Sequence, residues 1–345
     1  MPPARLLLPL LALFPGVPLA AATPAYDFFI CANINRNYVI GSKIETLNGV
    51  YHRTAAGAWE HLGCNDTGLT AVAFDPRDRQ VVYTSALNGL WRSLDGGRTW
   101  RLCNGWDITE GRDVAVDPHA PDHVYLALPD GVAVSTDRAQ TLVRREAGLP
   151  DRGKYTQAIK VDRTRAGRVF AACESGVYLT EDGAQHWRQV LPTRETVNDV
   201  QQSPHDPRVW LAVTQSAGAW LSRDGGLTWQ QLPGVPTDRA LYNGTFDVTN
   251  PQRLALGSWA HGVLTSEDGG ATWTARNAGL PAAPRVWRVG VDPAGRLYAS
   301  VVQATLFVSD DFGRTWRRDA LEGSQVNSFL LLPPAAPSPR RPPRP

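Results

Sequence analysis

The sequence repeats one eight-residue pattern along most of its length. Residues 93–100 read SLDGGRTW, and close copies occupy 222–229, 266–273 and 309–316. Degenerate copies lie at 180–187 (TEDGAQHW) and 135–142 (STDRAQTL), and a still more degenerate first copy ends at Trp59. The copies therefore close at positions 59, 100, 142, 187, 229, 273 and 316, so the period is 41 to 45 residues. Seven units at a near-constant period indicate a repeat architecture.

The pattern itself predicts a tight turn between two strands. Glycine adopts the positive φ values that such turns require, and Ser, Thr and Asp side chains can bond the backbone of their own turn. The closing Trp is expected to cover the turn as an apolar plug.

The second copy shows a whole unit. Residues 69–74, 81–85 and 90–93 read as three strands, separated by the turn residues Asp75-Pro76 and Asn88-Gly89, and Trp100 opens a fourth strand. The same order returns at 114–128 and 289–301. Four short antiparallel strands per unit predict an all-β fold, a single seven-bladed β-propeller with four strands in each blade.

This pattern resembles the Asp-box, or BNR, repeat. Similar repeats occur in sialidases, in xyloglucan-cleaving propeller enzymes, in sortilin-type receptors and in photosystem II assembly factors. The resemblance covers nearly all of residues 23–332. In those families the box is a structural turn away from the active face, so the resemblance implies that the functional residues lie elsewhere.

The two ends of the chain differ from the repeats. Residues 1–22 read as a secretory signal, with Arg5, an apolar run and Ala20-Ala21-Ala22, which predicts a secreted or periplasmic protein. Residues 23–332 form the predicted propeller, and the Pro/Arg-rich residues 333–345 are predicted to be disordered. The segment 326–332 is expected to pair into the N-terminal blade, and 26–34 is a second strand candidate there, so which of the two is innermost stays open.

Net charge and cysteine spacing argue against some classes of partner and bound group. The formal net charge of +2 becomes −2 without Arg5 and the three tail arginines, which argues against nucleic acid. No stretch suits a membrane span. We expect a monomer without a cofactor. The spacing of the cysteines matches no metal signature, so we expect no metal site either. Cys64 and Cys103 either pair as a disulfide or remain buried thiols.

The order of strands assigns the connecting loops to two faces. The Asp-Pro and box turns share the first face; the loops between strands two and three, and between strand four and the next blade, share the second face. Ligands of propellers bind around the central channel, on loops that the scaffold holds. Three tryptophans that the repeat does not explain lie on the second face: Trp106, Trp259 and Trp287. Exposed indoles suit stacking on sugar rings or anchoring a protein.

Charged residues gather in the same loops. Alignment on the Asp-Pro turn puts Asp113, Asp199 and Arg288 at equivalent positions, with Arg112, Asn198 and Trp287 in a neighbouring ring. The candidate catalytic acids are Asp113, Asp199 and Glu174. The candidate substrate-binding residues are Trp106, Arg112, Tyr155, Arg194, Tyr242, Trp259, His261, Trp287 and Arg288.

Three functions fit these residues. A glycoside hydrolase needs two carboxylates about 5–5.5 Å apart for retention or about 6.5–9.5 Å apart for inversion. The resemblance to sialidases implies an arginine cluster and a Tyr–Glu pair, but the Arg-Ile-Pro signature of sialidases is missing from this sequence. The xyloglucan-cleaving enzymes are built from two propellers, whereas this chain has one. A glycan-binding lectin or a scaffold for a protein client, as in the photosystem II assembly factors, are the alternatives. We expect a propeller that binds or cleaves a glycan at the channel mouth, and whether it is an enzyme stays open.

Overall fold

Seven four-stranded antiparallel sheets form a β-propeller in the computed structural model, which describes residues 26–34, 47–66 and 68–333. The described residues contain no helix, and therefore none that could cross a membrane. The predicted signal at 1–22 and all of the Pro/Arg-rich tail except Pro333 lie outside the described residues. The all-β, seven-bladed prediction is confirmed.

Each blade contributes one innermost strand to a ring around the central axis. These strands are β4 (Leu69–Asp75), β8 (Asp113–Val116), β12 (Thr156–Val161), β16 (Val197–Gln202), β20 (Leu241–Phe246), β24 (Val286–Val291) and β28 (Ser324–Leu332). Each contacts the next, and β28 contacts β4, which closes the ring.

The remaining strands extend each blade outward. The second strands are β1 (Asp27–Ile34), β5 (Asp78–Ala86), β9 (Val124–Leu128), β13 (Val169–Cys173), β17 (Trp210–Thr214), β21 (Leu254–Ser258) and β25 (Leu297–Val301). The third strands are β2 (Gly49–Arg53), β6 (Gly89–Ser93), β10 (Gly131–Ser135), β14 (Gly176–Thr180), β18 (Ala219–Ser222), β22 (Gly262–Ser266) and β26 (Leu306–Ser309). The outermost strands are β3 (Trp59–His61), β7 (Arg101–Leu102), β11 (Val143–Arg144), β15 (Arg188–Pro192), β19 (Gln230–Gln231), β23 (Thr274–Ala275) and β27 (Arg317–Arg318).

The chain ends meet in one blade. Strand β28 pairs antiparallel with β1, with Ile30 opposite Phe329 and Phe28 opposite Leu331. The order β28-β1-β2-β3 makes the C-terminal strand the innermost one. The predicted pairing of 326–332 is confirmed, and closure removes an exposed sheet edge.

The repeated turns share one hydrogen-bond pattern. The Ser93 hydroxyl donates to Asp95 Oδ1 and accepts from the backbone N–H of Gly97, both at 2.8 Å. The Trp100 indole donates to the Gly97 carbonyl at 2.8 Å. The degenerate turns keep the serine or threonine and aspartate bonds although an alanine replaces the second glycine; Ala139 and Ala184 adopt φ of 59° and 70°.

The apolar core lies between neighbouring blades, and it separates the cysteines. Buried Cys64 packs between the first two blades with Cys31, whereas half-buried Cys103 packs between the second and third blades. All four cysteines are free. The Cys64–Cys103 disulfide is therefore wrong, because the second blade stands between the two thiols.

Candidate functional site

Six of the seven innermost strands carry a β-bulge at the same place, close to where the chain enters the strand from the second face. The register shifts by one residue there, and Arg112 takes the corresponding place through its backbone N–H to the Ala127 carbonyl at 2.9 Å. A bulge leaves one extra residue unpaired and turns its side chain out of the ladder. We call these seven residues the bulge ring: Thr70, Arg112, Gln157, Asn198, Tyr242, Trp287 and Asn327.

In three blades, the residue after this position ties its blade to the next one. Asp113 Oδ2 accepts from the backbone N–H of Ile159 at 2.9 Å, and Asp199 Oδ2 accepts from that of Gly244 at 3.4 Å. Asn243 bonds both the N–H and the carbonyl of Val289 at 2.8 Å. The predicted equivalence of Asp113, Asp199 and Arg288 agrees with this register. Asp113 and Asp199 are buried.

A lysine that the sequence analysis missed completes a charged group in the channel. Lys160 Nζ lies 2.6 Å from Asp113 Oδ2, and its side chain is 28% exposed. Burial raises the pKa of Asp199, and the positive charges of Lys160 and Arg288 oppose this rise. Burial lowers the pKa of Arg288, against the attraction of Asp199 and Asp113. Two carboxylates and two cations thus share the channel wall.

The channel encloses a cavity of about 270 Å³. Arg112, Asp113, Asn198, Asp199 and Arg288 line it near the bulge ring. Further along, it is lined by Lys160 and Gln201 and then by Tyr26, Arg163, Pro204 and Pro333. The described residues hold no group of three or more His, Cys, Asp and Glu side chains placed to bind a metal ion.

Three aromatic side chains form a cluster at one side of the channel mouth. The rings of Tyr242 and Trp287 lie 4.4 Å apart between centroids, and Trp259 meets Tyr242 edge-on at 5.6 Å. Arg288 lies 4.4 Å above Trp287, and Arg285 lies 5.0 Å above Trp259. All five side chains are half-buried. We call Tyr242, Trp259 and Trp287 the aromatic cluster.

One further bond orients this cluster. The Trp287 indole N–H donates to Asn327 Oδ1 at 2.9 Å, so two residues of the bulge ring hold each other across the junction of the last and first blades. The indole N–H of Trp287 is therefore already hydrogen-bonded, and a ligand would contact the surface of its ring.

The other predicted residues lie in smaller groups. Arg112 stacks over Tyr155 at 5.4 Å and approaches Glu110 at 3.4 Å, and His261 pairs with Asp238 at 2.9 Å. Trp106 is 93% exposed, and Glu174 and Arg194 are also exposed. Within the described parts of the chain, these last three side chains make no hydrogen bond or ring contact with the aromatic cluster. The sequence-predicted residues thus divide between the channel, the cluster and the outer loops.

No family model matches this chain. It is 30% identical over 202 residues to an oligoxyloglucan-reducing end-specific xyloglucanase of Emericella nidulans, covering 49% of this chain and 24% of that protein. It is 24% identical over 322 residues to a xyloglucanase of Hypocrea jecorina, covering 78% of this chain and 36% of that protein. The chain thus spans well under half the length of these curated relatives.

Solved structures share the fold. The GH74 xyloglucanase from Xanthomonas campestris matches with a TM-score of 0.63 at 18% identity, covering 78% of this chain and 51% of that one. YCF48 bound to D1 peptide matches with a TM-score of 0.54 at 19% identity, covering 73% of this chain and 82% of that one. The chain is therefore similar to propeller glycoside hydrolases in sequence and fold, and to a peptide-bound propeller in fold.

Proposed function

We propose that this protein is exported and binds a glycan on its second face, with the aromatic cluster as the platform. The observation that carries the proposal is the arrangement of Tyr242, Trp259 and Trp287 beside the channel mouth, half-buried and in mutual contact. Ligand sites combine aromatic surface with a few placed polar groups, and a sugar ring presents an apolar face and a rim of hydroxyl groups that match them.

Polar groups around the aromatic cluster are suited to hydrogen-bond the hydroxyl groups of a sugar. The guanidinium groups of Arg285 and Arg288 lie against the indoles, where stacking restrains them. Asn198 belongs to the same bulge ring, and its side chain lies at the cavity. The similarity to xyloglucanases of Emericella nidulans and Hypocrea jecorina supports a polysaccharide as the ligand.

Binding has stronger structural support than cleavage. The carboxyl groups of Asp113 and Asp199 both accept backbone N–H bonds from their own and the next blade, and Asp113 also holds Lys160. A general acid or nucleophile must reach the glycosidic bond, and these oxygens are occupied inside the protein. Glu174 is exposed on an outer loop. Hydrolysis by Asp113, Asp199 or Glu174 stays a prediction.

The test is titration of the full chain with xyloglucan oligosaccharides and cellotetraose by calorimetry, beside an assay for new reducing ends. Trp259→Ala should weaken binding by about tenfold or more, since buried aromatic anchors dominate such sites. Trp106→Ala is the matched control, because it removes an indole from the same face without touching the cluster. Unchanged affinity in Trp259→Ala would contradict the proposal. New reducing ends that disappear in Asp113→Asn or Asp199→Asn would add hydrolysis.

A protein client is the second candidate, supported by the match to YCF48 bound to D1 peptide over 82% of that chain. Arg112 and Arg288 both line the cavity and would meet acidic groups of a peptide. Fluorescence anisotropy with acidic and neutral peptides tests it. Binding of acidic peptides that falls in Arg112→Gln and persists in Trp259→Ala would favour the scaffold.

A further inference from the structure

A second pocket lies far from the channel, between the outer parts of the first two blades. It has a volume of about 430 Å³ and is lined by Gly63, Cys64, Asn65, Asp66, Trp91, Arg98 and Trp100. We call it the rim pocket. Pockets for small ligands measure about 300–1,000 Å³. Its lining comes from the loop after β3 and from β6 with the turn that follows.

Two indoles present their surfaces to the rim pocket. The Trp91 indole donates to Asn88 Oδ1 at 2.9 Å, and the Trp100 indole donates to the Gly97 carbonyl at 2.8 Å. Both side chains are half-buried against the core between the first two blades. Since both donors are occupied, the pocket meets apolar ring surface rather than N–H groups.

Glycine at position 63 allows the loop to lie directly against the turn. Gly63 has a φ of +91°, and a Cβ there would lie 2.5 Å from the Gly97 carbonyl oxygen and 3.0 Å from the Trp100 indole nitrogen. No larger side chain fits this approach without moving backbone. The local sequence therefore places the loop residues Asn65 and Asp66 beside the two indoles.

The arginine of this pocket differs from its counterpart in another blade. Arg314 occupies the same position of its turn as Arg98 and is bound to Glu267 at 2.6 Å and to the Asp311 carbonyl at 3.0 Å. Arg98 is exposed, and its guanidinium makes no hydrogen bond or ion pair with any other described residue. Across the pocket, the Asp66 carboxylate accepts from Asn88 Nδ2 at 2.8 Å and from the Gly68 N–H at 3.1 Å.

The fifth blade shows the same tryptophan pair in a structural role. Trp220 and Trp229 stand where Trp91 and Trp100 stand in the second blade, and both pack against the core together with Val190. The Trp220 indole nitrogen is buried and has no hydrogen-bond partner among the described residues. Leu227 replaces Arg98 there. The second blade therefore adds a cation that pairs with no described residue, and a neighbouring carboxylate, to a tryptophan pair that serves packing in the fifth blade.

We infer that the rim pocket binds one pyranose unit of a neutral glycan, as a site separate from the second face. The ring surfaces of Trp91 and Trp100 stack on the apolar face of the sugar. Its hydroxyl groups accept from Arg98 and donate to Asp66, and the single positive and single negative charge favour a neutral ligand. Two sites on one chain would raise its avidity for a polysaccharide without any new contact at either site.

The test follows the indole N–H resonances of the full ¹⁵N-tryptophan-labelled chain by NMR. Trp91→Phe and Trp100→Phe identify the two signals. Titration with cellotetraose, xylotetraose and mannotetraose should shift both signals saturably with at least one of them. Arg98→Gln should weaken this binding by about tenfold, the loss expected for a hydrogen bond to a charged group. Arg314→Gln, at the same turn position, should leave it unchanged.

The experiment distinguishes binding at the rim pocket from binding at the second face. Trp259→Ala should weaken second-face binding and preserve the shifts of Trp91 and Trp100, so failure at either site is visible alone. Absence of saturable shifts with all three oligosaccharides would overturn the inference. Equal affinities of the wild type and Arg98→Gln would overturn the role of the arginine and with it the site as described.

Discussion

The repeated turns on the first face and the bulge ring on the second face occupy equivalent places in every blade, yet they differ in chemistry. Four turns repeat Ser-x-Asp, glycine and tryptophan with nearly the same distances. The bulge ring has seven positions occupied by six residue types, asparagine alone appearing twice. Backbone geometry is repeated in both regions, but only the turns repeat the side chains.

This contrast separates what the fold requires from what it permits. A turn with positive φ and a buried hydroxyl accepts few residues, so repetition there reports stability. A bulge at a channel mouth only needs a side chain that reaches out of the ladder, so each blade can supply a different group. The diverse positions of the bulge ring are therefore where second-face binding is expected, and the serine and aspartate of the turns are where substitutions should act on stability alone.

The largest expected effect comes from the residue beside the bulge. Asp113→Ala would leave Lys160 without its carboxylate and the Ile159 N–H without its acceptor. Loss of one partner of a buried ion pair costs about 3 kcal/mol or more of unfolding free energy. Urea unfolding of the variant measures this cost.

A double variant separates the ion pair from the backbone bond. Asp113→Leu combined with Lys160→Met removes both charges, and it should be more stable than Asp113→Leu alone. Equal or lower stability of the double variant would show that the positive charge of Lys160 is not destabilising when Asp113 is absent.

The turns should give smaller and more uniform effects. Ser222→Ala removes the hydroxyl that accepts from the Gly226 N–H and donates to Asp224, both at 2.8 Å, at a position 1% exposed. The expected loss is about 1–2 kcal/mol of unfolding free energy, because a buried N–H loses its acceptor. Ser266→Ala, in a turn of the same geometry, should cost the same within experimental error. Neither substitution should change glycan affinity at the second face, and a change there would contradict the structural role of these two turns.

The fold could be predicted from sequence because its information is local and repeated. The strands around the second copy agree with the structure within a few residues, since β4, β5 and β6 span 69–75, 78–86 and 89–93. The closing strand pair could be predicted but not its order, because 26–34 and 326–332 both read as strands and their order depends on contacts between the chain ends. The Cys64–Cys103 pair failed because distance from a box tryptophan does not tell which side of a blade a thiol faces.

The candidate site could be predicted only in part. Alignment of the repeats correctly placed Arg112, Asn198 and Trp287 in one ring, because that follows from register. Lys160 was missed, since a single lysine in an apolar strand gives no sign of the carboxylate that it meets in another blade. Some of the backbone bonds that occupy Asp113 and Asp199 come from the next blade, and no sequence pattern records them.

The smallest expected effect concerns how the unfolding free energy depends on pH. An aspartate of the turns and an aspartate of the channel should contribute to this dependence with opposite signs. Bonds from the backbone N–H and the hydroxyl of Thr99 lower the pKa of Asp95 to about 2. Its stabilising contribution is therefore complete above its unfolded pKa of 3.8 and is lost as pH falls toward 2. Burial instead raises the pKa of Asp199, so its contribution to stability declines as pH rises above 3.8 toward the higher folded pKa.

Urea unfolding of Asp95→Asn and Asp199→Asn between pH 2 and 7 distinguishes these two signs. The stability that the wild type gains over Asp95→Asn should shrink as the solution is acidified, because protonation removes the negative charge that Thr99 and Ser93 stabilise. The difference between wild type and Asp199→Asn should move against the wild type as pH rises, because the ionised carboxylate is held in a buried site near Asp113 and only partly balanced by Lys160 and Arg288. Parallel curves for the two variants would mean that the turn aspartate and the channel aspartate share one environment, and the distinction between the turns and the channel would lose its electrostatic basis.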